Sequence, residues 1–550
     1  MKLRHSAFGY VLAAVCVFGV ASCSSSPKPA PQEKVEVMPT EYPKTAIQTL
    51  NALQPNIPEK TDAVMVVSYG SLADVIIQMK NWNLVDNSQI DSALKDLEMH
   101  YLLNPTKLAD YYKAGMNTAS GLAVGFAHNN VYILFDVYNT KKFKSWLDNF
   151  MNEEFGRPRY QEETIGSKTV TEIRILDRDF ATLLSEENRS AILVLGEGLI
   201  KDSPASLECA KQLAEEQSIP KSKADEIAKM LSNAPIAVWT HGPEQLLDRI
   251  PEKYAQYAHI FSNVVCDMNF SEQGPKLHLQ GHWNTGEQIV GLKLDSLKDL
   301  GKGSNGGWGD IIMSTGPSTA TRLLFDAQKL EEIILPSLSD KTKNTYQDIK
   351  KQLTQKLFKI DVADQIIYNI GGVWVALYDT QVPNLQEPSL KDILFAQKGV
   401  VYLPFKEAGK SDAFFAKLNI LKGFIPSDKA QIEMEDGILH AVVNLGANQK
   451  LHAGYYKGII ALSTSNGWAM AVKTLKTSDS PNSPSLLASD NHFFASHIAV
   501  EDIVKILGMR YGIVKEQLSN FLAPVNSIEI QSSMNDTSFD ITLNGILNKN

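Results

Sequence analysis

The chain has 550 residues, a formal net charge of -9 and a pI near 5.7, with 44% hydrophobic and 21% charged residues. This is the composition of a folded body too long for one core, so two or more domains are expected. The acidity falls mostly in the first 300 residues, leaves no electrostatic footprint for a phosphate backbone, and excludes nucleic acid as a partner.

Taken from the start, Lys2 and Arg4 precede an apolar run over residues 7–20 and the sequence Val20-Ala21-Ser22-Cys23. The run falls short of the roughly 20 apolar residues of a spanning helix and ends in small residues, as a secretory signal does. The whole segment resembles a bacterial lipoprotein signal with its lipobox. That resemblance implies removal of residues 1–22, a diacylglycerol on the Cys23 thiol and a further acyl chain on its amine. Several chains hold a protein firmly where one holds it marginally. Ser24 and Ser25 lack the aspartate that keeps many lipoproteins at the inner membrane, so the resemblance also implies the outer membrane. Residues 23–45, rich in Ser and Pro, read as a tether extending about 3.1 Å per residue where it is stretched.

The body reads as an internal repeat. Residues 46–283 and 310–550 follow one order of elements, with a Gly-rich linker over residues 284–309. The strand, turn and helix running from Asp62 through Gly70 and Ser71 are matched to Asp310 through Gly316 and Pro317. The strand after Asn117 is matched to the one after Asn369, and that at 131–138 to 399–405. An amphipathic helix follows each. In the first, Phe143, Trp146, Leu147, Phe150 and Met151 form one stripe, which Phe414, Leu418 and Leu421 repeat more thinly. His128-Asn129-Asn130 and Asp436-Gly437 read as hairpin turns, the latter of type I′. Residues 234–242 match 491–497. Both halves close on paired strands, 264–270 with 276–283 and 527–532 with 538–547. The expected fold is α+β: two tandem homologous domains, each a mainly antiparallel sheet with helices packed on one face.

No chemistry rises from the motifs. Cys16 leaves with the signal and lipid occupies Cys23. Cys209 and Cys266 therefore remain, either bridged as an exported chain permits or packed as small buried thiols. His278 and His282 would stack as metal ligands on a helix. Their context is a strand, which puts them about 13 Å apart, so no metal is expected. His492 and His497 flank Phe493-Phe494 and read as strand-end and turn residues. Ser71 reads as a helix N-cap rather than a nucleophile. Asp177, Asp179, Glu186 and Glu187 alternate with Arg174, Arg178 and Arg189 as solvated pairs. Tyr111, Tyr112, Tyr455 and Tyr456 read as core. The glycines of 301–309 do not fit a phosphate loop.

The stretch Ile57-Pro58-Glu59-Lys60-Thr61-Asp62-Ala63 resembles the start of bacterial envelope lipoproteins with domains of unknown function, which implies no activity. The expectation is a non-enzymatic binding or interaction module at the outer membrane, with no cofactor, facing an envelope protein, peptidoglycan or lipid. An envelope hydrolase with a dispersed active site, or a carrier of an apolar ligand, is the alternative.

Overall fold

The computed structural model describes residues 41–82, 87–200, 203–241, 261–283, 288–289, 292–293, 301, 303–356, 362–380, 396–421, 430–445, 449–477, 486–511, 524–534 and 538–547. The chain divides into two compact units, residues 1–282 and 283–550. Both are α+β. Cys23 and residues 242–260 lie outside the described residues.

The first unit opens on α1 (Ala46–Leu53), whose Thr45 and Gln48 exchange hydrogen bonds as a capping box. β1 (Ala63–Ser68) runs into α2 (Tyr69–Asn81), α3 (Asn87–Tyr101) and α4 (Leu108–Lys113). A hairpin follows, β2 (Gly121–Ala127) with β3 (Asn130–Asp136), then α5 (Thr140–Phe155). The strands β4 (Arg159–Ile165), β5 (Lys168–Ile175), β6 (Arg178–Glu186) and β7 (Ser190–Leu195) form a meander. After α6 (Ser206–Glu215) and α7 (Lys221–Met230) come β8 (Ile236–His241), β9 (Phe261–Ser271) and β10 (Gly274–Trp283). In space the strands lie β10-β9-β8-β1-β2-β3-β7-β6-β5-β4, antiparallel throughout. β1 is therefore central, which its near-continuous apolar run Ala-Val-Met-Val-Val requires.

Alternation along β1 assigns its side chains to two cores. Val64 and Val66 pack with Leu50 and Leu53 of α1, Leu213 of α6 and Ile227 of α7. Met65 packs with Tyr69, Tyr111, Phe143, Trp146 and Leu147 on the other side. The sequence reading placed helices on one face; here they cover both. All but one residue of the α5 stripe is buried, Phe150 being partly so.

The second unit repeats this strand order. Its strands are β11 (Thr319–Leu324), β12 (Gly372–Leu377), β13 (Gly399–Pro404), β14 (Ala430–Glu435), β15 (Ile438–Asn444), β16 (Lys450–Tyr456), β17 (Ile459–Thr464), β18 (Phe494–Ala499), β19 (Val525–Met534) and β20 (Ser538–Leu547). They lie β20-β19-β18-β11-β12-β13-β17-β16-β15-β14. Each first-unit strand thus has a counterpart ten numbers on. The helices are α8 (Trp308–Ser314), α9 (Ala327–Ile334), α10 (Asp340–Lys356), α11 (Ala408–Leu421), α12 (Trp468–Lys476) and α13 (Val500–Tyr511), with a π-turn at Ala363–Ile367.

Two matches shift. Asp310 to Ser314 is helical, in α8, and Gly316 closes it at φ +73°, so the counterpart of β1 is Thr319–Leu324 rather than Asp310–Gly316. The short apolar run Ile311-Ile312-Met313 fits either period. The Gly-rich segment is also no free linker from Gly303 onward: Ser304 Oγ and Asn305 N donate to Asp490, and a Cβ on Gly303 would lie 2.2 Å from the Phe325 amide. Both hairpin turns are as read, with φ of 50° and 62° at His128 and Asn129, and 49° and 84° at Asp436 and Gly437. The closing strand pairs are as read too.

Candidate functional site

In the second unit one face of the sheet carries a buried core around Trp308, Ile312, Trp374, Tyr402, Ala471 and Leu475. The opposite face is thinner. Among the described residues its buried core consists of Phe405, Leu439 and Tyr455, with Ile366, Ile370, Phe415 and Leu418 partly buried against them. Phe415, one position after the expected Phe414, turns inward and stacks on Tyr455 at 3.8 Å.

The thinning has a local cause. α2 of the first unit buries Tyr69, Gly70, Ser71, Ala73 and Val75, and Tyr69 fills space against Tyr111 at 4.6 Å. α9, which follows β11 as α2 follows β1, buries no residue fully although its apolar side chains share one stripe. Beneath it lies a cavity of about 310 Å³, whose walls include Phe325, Leu330, Ile334, Leu338, Ile367 and Ile370. Ile334 remains 38% exposed, which leaves the cavity open at one end of the helix.

A polar cluster stands beside it. Lys350 Nζ lies 2.7 Å from Glu331 Oε1, and the Tyr368 hydroxyl donates to Glu331 Oε2. Burial works against the Glu331 carboxylate, but hydrogen bonds from Lys350, Tyr368 and Tyr346 outweigh it and hold its pKa below the usual range. Tyr346 is pushed up to about 12, first by burial and then by its bond to Glu331. Charged groups here are paired with one another, so the apolar space is where a ligand gains most. In the first unit the cavity among α3, α4 and α5 mixes Leu102, Ala114 and Trp146 with the charged Glu98, Asp110, Lys113, Lys141 and Lys142.

The residues singled out from sequence are dispersed. Cys209 and Cys266 are free thiols, both buried, so the bridge is not made. Cys209 belongs to the core shared with Val66, whereas Cys266 opposes Val238, which packs on the Met65 side. The sheet stands between them. Burial pushes their thiols up to about 12 and about 11, which makes both inert at neutral pH. His278 lies on β10, 3.4 Å from Asp267, and His497 on β18, 3.5 Å from Glu529. No group of three metal-ligating residues occurs among the described residues.

Ser71 is not the cap. Ser68 is: its Oγ accepts the Ser71 amide at 3.0 Å, because the helix begins three residues earlier than read. Asp177 pairs with Arg159 and Glu186 with Arg189, as solvated pairs, whereas Asp179 turns inward to accept the Ser206 amide at 2.7 Å. The tether also ends sooner than residue 45. Tyr42 donates to Asp74 at 2.8 Å and its ring covers Gly70, where a Cβ would meet it at 2.0 Å. The cavity was missed because its walls come from three separate stretches; the one local signal was the stripe Leu330, Ile333 and Ile334 on a short helix.

No protein-family model matches the chain, and no curated protein matches it. Solved structures similar to it include crystal forms III and IV of TP0453. Form III has 6% identity and a TM-score of 0.25, over 42% of this chain and 80% of that one. Form IV has 8% identity and a TM-score of 0.24, over 41% and 77%. Likeness of this size carries no functional argument.

Proposed function

We propose that the protein is an envelope lipoprotein, held at the outer membrane through lipid on Cys23, whose body is a binding module. Its second unit receives the apolar group of an envelope lipid in the cavity under α9. One observation carries this reading: the same strand order supports a packed helical layer in the first unit and an open apolar pocket in the second. A volume of about 310 Å³ sits at the lower end of ligand-pocket sizes, suited to one chain rather than a whole lipid. The lipobox residues and the Ser/Pro-rich segment support the anchor.

Two experiments test this. Titration of the purified protein with a fluorescent polyene fatty acid is expected to give saturable binding, and Ile370→Trp, which fills the cavity, is expected to abolish it. Binding that is absent, or unchanged in Ile370→Trp, removes the reading. Palmitate labelling in cells is expected for the wild type and lost in Cys23→Ala; equal labelling of both removes the anchor.

A further inference from the structure

On the other face of the second unit's sheet, four polar side chains form an unbroken line. His440 stands on β15, His452 on β16, Ser465 just beyond β17, and Glu435 at the end of β14. His452 Nε2 lies 3.1 Å from Ser465 Oγ, and His452 Nδ1 lies 3.1 Å from His440 Nε2. His440 Nδ1 lies 3.4 Å from Glu435 Oε2. A single tautomer assignment satisfies all three contacts. The Ser465 hydroxyl donates to His452, His452 donates from Nδ1 to His440, and His440 turns its Nδ1–H toward the carboxylate.

The rings are clamped. Trp468 stacks on His440 with centroids 4.1 Å apart and on His452 at 5.3 Å. Burial holds both imidazoles below the ordinary histidine range, and the neighbouring His440 and Lys450 lower His452 further, so His452 presents a lone pair to the serine. Ser465 is exposed. Three residues on, α12 begins at Trp468 with no side-chain capping bond at Gly467, so its first turn offers partial positive charge beside the hydroxyl.

The first unit shows what this line replaces. Its strand registers put Val170 and Thr182 at the positions of His440 and His452. There Thr182 bonds to Ser206 at 2.7 Å, and Asp179 closes the N-terminus of α6. The second unit exchanges a valine and a threonine for imidazoles and leaves the equivalent helix end without a carboxylate.

We infer that Ser465 is a nucleophile and His452 its general base, for acyl transfer from carboxylic esters. Ser465 Oγ forms a bond to the ester carbonyl carbon as its proton passes to His452 Nε2. The carbon–oxygen bond to the alcohol then breaks, and His452 returns the proton to the leaving oxygen. Water, deprotonated by His452, releases the acid and restores Ser465. His440 and Glu435 are positioning residues that fix the His452 tautomer. This site lies on the opposite face from the α9 cavity and does not depend on the binding reading.

A fluorophosphonate probe applied to the full chain tests it, since phosphorus bonds to an activated serine oxygen as fluoride leaves. Peptide mass spectrometry is expected to place the adduct on Ser465, with none in Ser465→Ala. His452→Ala is expected to slow labelling by about 100-fold or more. His440→Asn is expected to lower kcat for p-nitrophenyl butyrate and leave KM unchanged, with circular dichroism showing the fold intact. No adduct on Ser465 overturns the inference. So does an adduct formed equally fast in His452→Ala, which would mark Ser465 as an ordinary surface hydroxyl.

Discussion

The two units share one strand order and diverge where sequence decides what lies on the sheet. Val66, Ala123 and Ala237 of the first unit sit side by side across three strands; the corresponding residues of the second are Arg322, Trp374 and Ala495. The first row is an apolar floor under three helices. The second buries a guanidinium completely, with Nε and Nη1 lacking partners among the described residues and only Nη2 donating, to the His492 carbonyl at 2.9 Å. Strand order therefore constrains much less of the interior than it does of the outline. Side chains at equivalent registers set which face is filled, which is left open and which carries polar groups.

That contrast can be broken most forcefully in the first unit. Phe143→Ala removes a fully buried ring that touches Phe135 and Trp146, and is expected to cost about 3–5 kcal/mol in chemical denaturation. Leu330→Ala under α9 is expected to cost less than about 1 kcal/mol, because that side chain is only partly buried. Equal costs would erase the distinction between the layers. Next in size is Arg322→Met. Burial already holds the Arg322 pKa down to about 10, so an apolar replacement is expected to stabilise the second unit by roughly 1–4 kcal/mol, read as a rise in its melting temperature.

A smaller effect comes from filling the pocket. Leu330→Phe is expected to stabilise by about 0.5–2 kcal/mol, whereas Val124→Phe in the close-packed first unit is expected to destabilise by about 1–3 kcal/mol. The smallest is pH-dependent. His440, His452 and His492 are each held below 6.5 by burial. Their folded pKa values lie below the unfolded ones, so the stability they contribute is complete above about 6.5 and lost as pH falls through the folded values. Acidification is thus expected to lower the melting temperature, and the double variant His440→Phe, His492→Asn to flatten that dependence.

Much of this architecture was legible because local chemistry and global fold agree. Asp436-Gly437 and His128-Asn129 supply positive φ where tight hairpins need it, and the five-residue α5 stripe leaves one face to bury. The residues read less well are those whose role depends on distant contacts. Ile311-Ile312-Met313 is too short for its period to decide between strand and helix. Ser68 rather than Ser71 caps α2 because a helix start depends on which amide lacks a partner. Nothing in sequence says that a sheet separates Cys209 from Cys266, or that Glu435, His440, His452 and Ser465 meet. Two of those four sit on strands whose register a two-residue turn fixes, and only the stacking of Trp468 completes the group.

β4 closes one end of the first sheet with a single described neighbour, and its residues from Arg159 to Thr164 are all exposed. An uncovered strand offers unpaired amides and carbonyls to any second copy. Arg159, Glu162 and Glu163 line this one with charge, as natural sheet margins commonly are. The lipid proposed on Cys23 would confine many copies to one plane, where collisions between identical margins would become frequent. Side chains of this kind would then keep a crowded population from zipping into fibres, a burden lighter for a freely diffusing protein at low concentration.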